Sequence, residues 1–334
     1  MNRYKNLVMS FLMCLPLISV QAQKKIIVSA DGKGQFKTIQ AAINSLDTIT
    51  TTEQRIIFIK NGTYSEKLMI SKSYVSFIGE TEKNVIIRQA LPRDAWRCEH
   101  PDDYGAATIS VKGHDLAFEN LTVLNDYGFN AKGDTAITCH NESGNTKIVR
   151  KDGHQFAFRS MPGATRLSFK NCTFRALGGD TVSPWDVEAG MYYFKNCTME
   201  GGVDLYCPRG WAWAENCHFV CHNMSAAIWH DGTNHESSKT VLKNCTFEGD
   251  KGYKLGRYHR PAQFYLINCR FDENMADAEI YHVSSSPAPT WGHRVYYQNC
   301  HRTGGNYAWH KDNLKIAAQT ITVDWTFEGK WKPN

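Results

Sequence analysis

LSFKNCTF (residues 167–174) is followed by YYFKNCTM (192–199), WAWAENCHF (211–219), TVLKNCTF (240–247), FYLINCRF (264–271) and VYYQNC (295–300). Each stretch carries Asn-Cys at the same point. The asparagines are Asn171, Asn196, Asn216, Asn244, Asn268 and Asn299, spaced by 25, 20, 28, 24 and 31 residues. A weaker copy, LAFENLTV (116–123), keeps Asn120 and lacks the cysteine. It lies 51 residues before Asn171, room for two such periods. Self-similarity at this period identifies one supersecondary unit stacked repeatedly.

The copies are rich in aromatic and β-branched residues alternating with period two, the pattern of strands rather than helices. In the first, Leu167 and Phe169 share a face, and so do Cys172 and Phe174. The phase restarts at Asn171, which places a bend there. Asparagine enters the left-handed backbone region more readily than other non-glycine residues. Stacked bends set Asn over Asn, where the amides can hydrogen-bond along the stack. The following cysteine points inward as a small apolar residue. A coil this short has no room for a helical crossover, and the Leu-x-x-Leu-x-Leu pattern of leucine-rich repeats is absent. The expected fold is all-β, a single-stranded right-handed parallel β-helix. Without any Cys-x-x-Cys pair, the cysteines do not suggest a metal site.

The flanking sequence sets further expectations. Arg3, Lys5 and the apolar run Leu7–Val20, ending in Val20-Gln21-Ala22, read as a signal peptide over residues 1–22. The remaining 23–334 reads as one domain, secreted or periplasmic, with no later stretch long and apolar enough for a membrane span. The formal charge of +5 becomes +3 once Arg3 and Lys5 are removed, too little to argue for nucleic acid and compatible with an anionic substrate. Cys98, Cys139, Cys207 and Cys221 lie outside the ladder and the leader. An oxidising compartment permits disulfides among them, but spacing does not assign the pairing. IIVSADGKGQFKTIQAAINSL (26–46) predicts a strand, a Gly-rich turn and a capping helix that starts near Thr38. Residues 89–106 and 127–154 break the repeat as loops, where function often resides. Residues 301–334, with Trp309, Trp325 and Trp331, are expected to pack back over the stack.

Outward-facing residues on one sheet of such a solenoid form a ready groove. In Gly202-Val203-Asp204-Leu205-Tyr206-Cys207, alternation turns Val203, Leu205 and Cys207 inward and Asp204 outward. Asp180, in Gly178-Gly179-Asp180-Thr181-Val182, precedes it by 24 residues, or one period. Carboxylates on neighbouring strands stand roughly 5 Å apart at the backbone. Such proximity pushes one pKa up and leaves the other group ionised, as a nucleophile with a general acid/base requires. Two aspartates in Gly-rich turns fit the same pattern.

The chain resembles the pectin methylesterases, right-handed β-helix enzymes that hydrolyse the methyl ester of galacturonate in pectin. The resemblance runs from about Ile26 to about Trp309. It is carried by VSADGKGQFKTIQAAI, IIFIKNGTYSEK, Gln155-Phe-Ala-Phe-Arg159, Gly179-Asp180-Thr181, Gly202-Val203-Asp204, Leu255-Gly256-Arg257 and VYYQNCHRTGG, in that order. It implies Asp204 as the nucleophile that forms an acyl-enzyme, and Asp180 as the acid that protonates methanol and then activates water. It implies Gln155 as an oxyanion donor and Arg257 as the partner that orients Asp204. No metal or other cofactor is implied. The implied partner is pectin or an oligogalacturonide, bound by a monomer with no nucleic acid or membrane. Two positions depart from the family pattern. Gly179 stands where the family has a second Gln, and Tyr258-His259 replaces Pro-Trp. A backbone N–H at Gly179, or Asn130, His140 or Asn141, could supply the missing donor. His259 or Tyr258 could stack on the sugar, and Arg209 could bind a free uronate carboxylate. Trp211, Trp213, Trp229 and His230 lie near the same region. A calcium-dependent polysaccharide lyase and a non-catalytic pectin-binding β-helix remain as alternatives.

Overall fold

A computed structural model describes residues 25–47, 52–141, 144–230 and 232–333. The signal-peptide reading of residues 1–22 lies outside the described residues. Three parallel faces wrap one core. The first runs from Lys25–Val28 through Arg55–Ile59 and Val75–Gly79 to Met191–Lys195, Trp211–Glu215, Thr240–Lys243, Phe264–Ile267 and Val295–Gln298. The second follows each bend and includes Thr198–Gly201, His218–Cys221 and Thr246–Gly249. Leu116–Asn125 and Leu167–Arg175 pass through both faces. The third face holds Leu68–Ile70, Ala107–Val111, Phe156–Ser160, Val182–Ser183, Ala226–His230, Lys254–Tyr258 and Tyr281–His282. Bridges from Tyr206 to Val182 and to Ile228 join its two halves. The architecture is a parallel β-helix.

The bends are built as the repeat predicts. Asn120, Asn171, Asn196, Asn216, Asn244, Asn268 and Asn299 all have positive φ, between 49° and 55°. Their amides form ladder links: Asn171 Nδ2 donates to Asn120 Oδ1 at 3.0 Å, Asn196 to Asn171 at 3.1 Å and Asn299 to Asn268 at 2.9 Å. Each ladder cysteine is buried, and five of the six thiols face a carbonyl of the adjoining coil, as Cys172 faces Phe118 O at 3.4 Å. The rings of Phe77, Phe118, Phe169 and Phe194 stack nearly parallel at 5.0, 5.2 and 4.6 Å. Offset stacking adds to the apolar burial of each ring.

Asn120 and Asn171 turn out to be direct neighbours, since Lys170 pairs with Glu119 and Cys172 with Leu121. The 51-residue interval is therefore one coil, not two. The excess leaves through residues 127–154, which include the antiparallel hairpin Thr135–Cys139 and Asn145–Val149. Only stacked strands must keep register, so chain leaving the stack is free in length. A Cys98–Cys139 disulfide ties this excursion to the helix Arg93–Glu99 of the other one, while Cys207 and Cys221 are free and buried.

Both ends are covered. Thr38 caps the helix Ile39–Asn44, which buries Ile39, Ala42 and Ile43, and Glu66 accepts from the Ile39 and Gln40 N–H groups at 2.9 Å. His310 stacks on Phe271 at the far end. Ile321, Trp325, Phe327 and Trp331 fold back over Trp211, Trp213, Val241 and Tyr265 on the first face. Trp211 and Trp213 are thereby sheet surface covered by the C-terminal segment. Among the described residues no helix is long and apolar enough to cross a membrane.

The left-handed turn and the amide link can be separated by mutation. Asn196→Ala is expected to lower unfolding free energy by about 1–2 kcal/mol, chiefly because alanine keeps the Cβ but lacks the polar side chain that compensates the left-handed backbone. Asn196→Gly is expected to lose less than half of that, because glycine accepts the turn and only the amide links go. Denaturant unfolding of both variants checks the order.

Candidate active site

The third face aligns the two acids as their 24-residue spacing predicts. Val182 bridges Tyr206 and Trp185 bridges Arg209, so Asp180 and Asp204 hold equivalent positions on successive coils. Both are almost fully buried, at 4% and 3% exposure. Both have left-handed backbone, with φ of 59° and 56°. Aspartate tolerates this region better than most residues, and such conformations concentrate at functional sites. The kink corrects one expectation. It resets the alternation, so Leu205 and Tyr206 both enter the core while Val203 lines the groove.

Arg257 reaches Asp204 as a two-pronged clamp, Nε to Oδ1 at 3.0 Å and Nη2 to Oδ2 at 2.6 Å. Such fork-to-carboxylate pairing fixes orientation as well as charge. Burial nevertheless dominates and pushes Asp204 up to about 6; Asp180 adds to the rise, while Arg257 opposes it. Asp204 is thus mostly ionised at neutral pH and poorly solvated. Asp180 differs. Its Oδ2 lies 3.4 Å from the Ser183 hydroxyl, while its buried Oδ1 accepts no hydrogen bond.

Gln155 is placed differently from the expectation. It is fully buried, with Oε1 accepting from Gly128 N–H at 2.9 Å and Nε2 donating to the Lys151 carbonyl at 2.5 Å. A Cβ at Gly178 would meet its Nε2 at 2.7 Å, so the amide lies behind that glycine. The excursion 127–154 supplies both partners and holds the amide out of the groove. Tyr258 is also corrected: it is 1% exposed, packs in the core and shares its hydroxyl with His293 Nδ1 at 2.7 Å. It offers no stacking face. Arg209 is fully buried beneath Trp185 and Trp229, 3.6 and 4.8 Å from their ring centroids. Its guanidinium therefore cannot meet a uronate directly. His259 remains at the surface, its ring perpendicular to Trp229 at 5.5 Å and its Nδ1 2.9 Å from Ser286 Oγ. Of the suggested replacement donors, His140 pairs with Glu99 and Asn141 donates to Arg97 O, both within the excursions.

Two aromatic residues flank the acids on this face. Trp229 pairs with Arg257 in the sheet, and Trp185 covers Arg159 and Arg209. Trp185 had a signal in the sequence: it follows Asp180 by five residues (185 − 180), as Arg209 follows Asp204 (209 − 204). On the other side a cavity of about 320 Å³ is lined by Asp94, Arg150, His154, Gly179, Val203 and Asn223 among others. His154 Nε2 lies 3.7 Å from the unbonded Asp180 Oδ1. The sequence pointed to neither His154 nor this cavity wall.

The family model described as Pectinesterase matches residues 25–182. A probable pectinesterase/pectinesterase inhibitor of Arabidopsis thaliana is 27% identical over 236 residues, 68% of this chain; the chain spans only 36% of that relative's length. A probable pectinesterase A of Aspergillus fumigatus is 27% identical over 315 residues, covering 91% of this chain and 87% of its own. The crystal structure of a pectin methylesterase in complex with a hexasaccharide superposes with a TM-score of 0.71 at 22% identity, over 92% of this chain and 98% of that one. The last likeness speaks for the fold, a parallel β-helix, and the sequence matches make the chain similar to pectinesterases, through the family model over residues 25–182 and at 27% identity over most of its length.

Proposed function

We propose that this protein is a carbohydrate esterase that hydrolyses methyl esters of galacturonate in pectin or pectin-derived oligosaccharides. One observation carries the reading: a buried carboxylate clamped by Arg257 lies next to a second buried carboxylate with a free oxygen. A carboxylate is a weak nucleophile toward esters. Burial strips its water, and the clamp aims it. Asp204 attacks the carbonyl carbon, and the bond to the methoxy oxygen breaks. The departing oxygen takes the proton carried by Asp180 and leaves as methanol. Water then gives one proton to Asp180 and attacks the acyl-enzyme, which releases the uronic acid and restores Asp204; the uronic acid's remaining proton passes to solvent as the uronate carboxylate forms. Trp185, Trp229 and His259 supply the apolar and aromatic surface against which a sugar ring can rest. Gln155 braces the excursion behind the acids. The mechanism calls for no metal ion. A leader at residues 1–22 and the Cys98–Cys139 disulfide both fit export to an oxidising compartment.

Methanol release from highly methylated pectin tests the assignment. Asp204→Asn is expected to lose at least about 10³ in kcat. Equal release by wild type and variant would remove Asp204 from the mechanism. An EDTA-sensitive absorbance of unsaturated uronates would instead favour the lyase alternative.

The acid limb of the pH profile follows from the raised Asp204. Methanol release should climb with pH through a midpoint near 6, with roughly a tenth of the carboxylate ionised one unit below. Arg257→Gln removes the group that opposes burial, so its midpoint should move up while kcat falls. An unmoved midpoint would separate Arg257 from the titrating acid.

Stability carries the opposite sign. Asp204 has a higher pKa folded than unfolded, so its contribution is fully present below pH 3.8 and is lost as pH rises through about 6. Asp204→Asn should therefore gain stability relative to wild type between pH 4 and pH 7.5, on the order of 2–3 kcal/mol at most. Denaturant unfolding at the two pH values measures that difference.

A further inference from the structure

An aspartate nucleophile creates negative charge on the ester carbonyl oxygen, and the site must supply a donor for it. Three amides beside the acids are already engaged. Gly179 N–H donates to Gly153 O at 3.1 Å, Asp180 N–H to Val203 O at 3.1 Å and Asp204 N–H to Ala226 O at 2.6 Å. Arg257 is committed to Asp204 through both prongs. Gln155 is buried behind Gly178. His154 is different. Its side chain is 47% exposed, lines the cavity beside Gly179, and brings Nε2 to 3.7 Å from Asp180 Oδ1.

We propose that His154 is the oxyanion donor of this esterase, standing beside the space that a longer side chain at position 179 would fill. A Cβ on Gly179 would lie 3.6 Å from His154 Cδ2, in ordinary van der Waals contact, so a side chain from 179 would run alongside the imidazole. The backbone that carries the ring is held in place. His154 bridges Gly179 in the sheet, and its carbonyl accepts the Arg93 N–H at 2.9 Å. The gap between Nε2 and Oδ1 is too long for a hydrogen bond, and a single ester group can bridge it. Its methoxy oxygen then faces the Asp180 proton while its carbonyl oxygen accepts from Nε2–H. No covalent step involves the ring: Nε2 keeps its hydrogen, and the hydrogen bond strengthens as charge develops. The glycine at 179 and the histidine at 154 are thus one exchange, a donor moved to the adjacent coil.

This inference rests on the esterase reading, and the test keeps the two apart. Methanol release from methylated pectin is measured for wild type, Asp204→Asn, His154→Ala, His154→Gln and His154→Ala/Gly179→Gln. The donor role predicts that His154→Ala loses about 10²–10³ in kcat, with KM changed less than about threefold. It further predicts that a carboxamide returned at either position, by His154→Gln or by the double variant, recovers at least tenfold of that loss. A purely structural role for His154 gives no such recovery. A loss below tenfold, or a loss that neither carboxamide repairs, overturns the proposal even if Asp204→Asn is inactive. A wild type without methanol release, or an Asp204→Asn variant as active as wild type, overturns the esterase reading and this proposal with it.

Discussion

The rest of the structure depends on one backbone constraint, a left-handed residue at the same place in every coil. At Asn171 and its counterparts the chain turns without losing register, and the apolar phase restarts on the next face. Without that turn a period-two strand would run straight and leave its core side exposed. Asparagine suits the position because its short amide compensates the strained backbone and reaches the same amide one coil away. Stacked in register, the coils bury a column of phenylalanine rings and a row of thiols. Each coil completes the core of its neighbours, which is why the ends need the helix Ile39–Asn44 and the Tyr307–His310 segment as lids.

The site uses the same device with different chemistry. Asp180 and Asp204 occupy left-handed positions on the third face, and the backbone kink at Asp204 leaves Val203 lining the groove while Leu205 and Tyr206 go into the core. Register then fixes their proximity, since equivalent residues of adjacent coils cannot drift apart. Rigid placement matters for acids that work as a pair, because burial and mutual repulsion act over a few ångströms. The clamp from Arg257 keeps Asp204 oriented against that burial. The excursions 89–106 and 127–154, tied by Cys98–Cys139, wall the groove on the other side and engage Gln155.

Much of this was legible in the chain. The Asn-Cys spacing read out the β-helix, the inward thiols and the equivalence of Asp180 and Asp204. Thr38 and the periodicity after it located the capping helix. The misses share a cause. The 51-residue interval before Asn171 read as two coils because sequence separation does not distinguish a coil from an excursion. Val203 was assigned inward because alternation assumes an unkinked strand. Arg209 and Tyr258 were read as binding residues from their charge and ring, yet both lie under neighbours contributed by other coils. His154 carried no signal, since its meaning depends on the glycine one coil away.

Sequence by itself determined what is local or periodic: the strands, the bends, the stacking unit and the two acids in phase. These follow from backbone preference and hydrophobic alternation, which act within one coil and repeat. Tertiary structure alone decided which of the polar side chains face the groove. That outcome depends on contacts between coils 20 to 50 residues apart, on a disulfide that spacing could not assign, and on how much water burial removes from each charge.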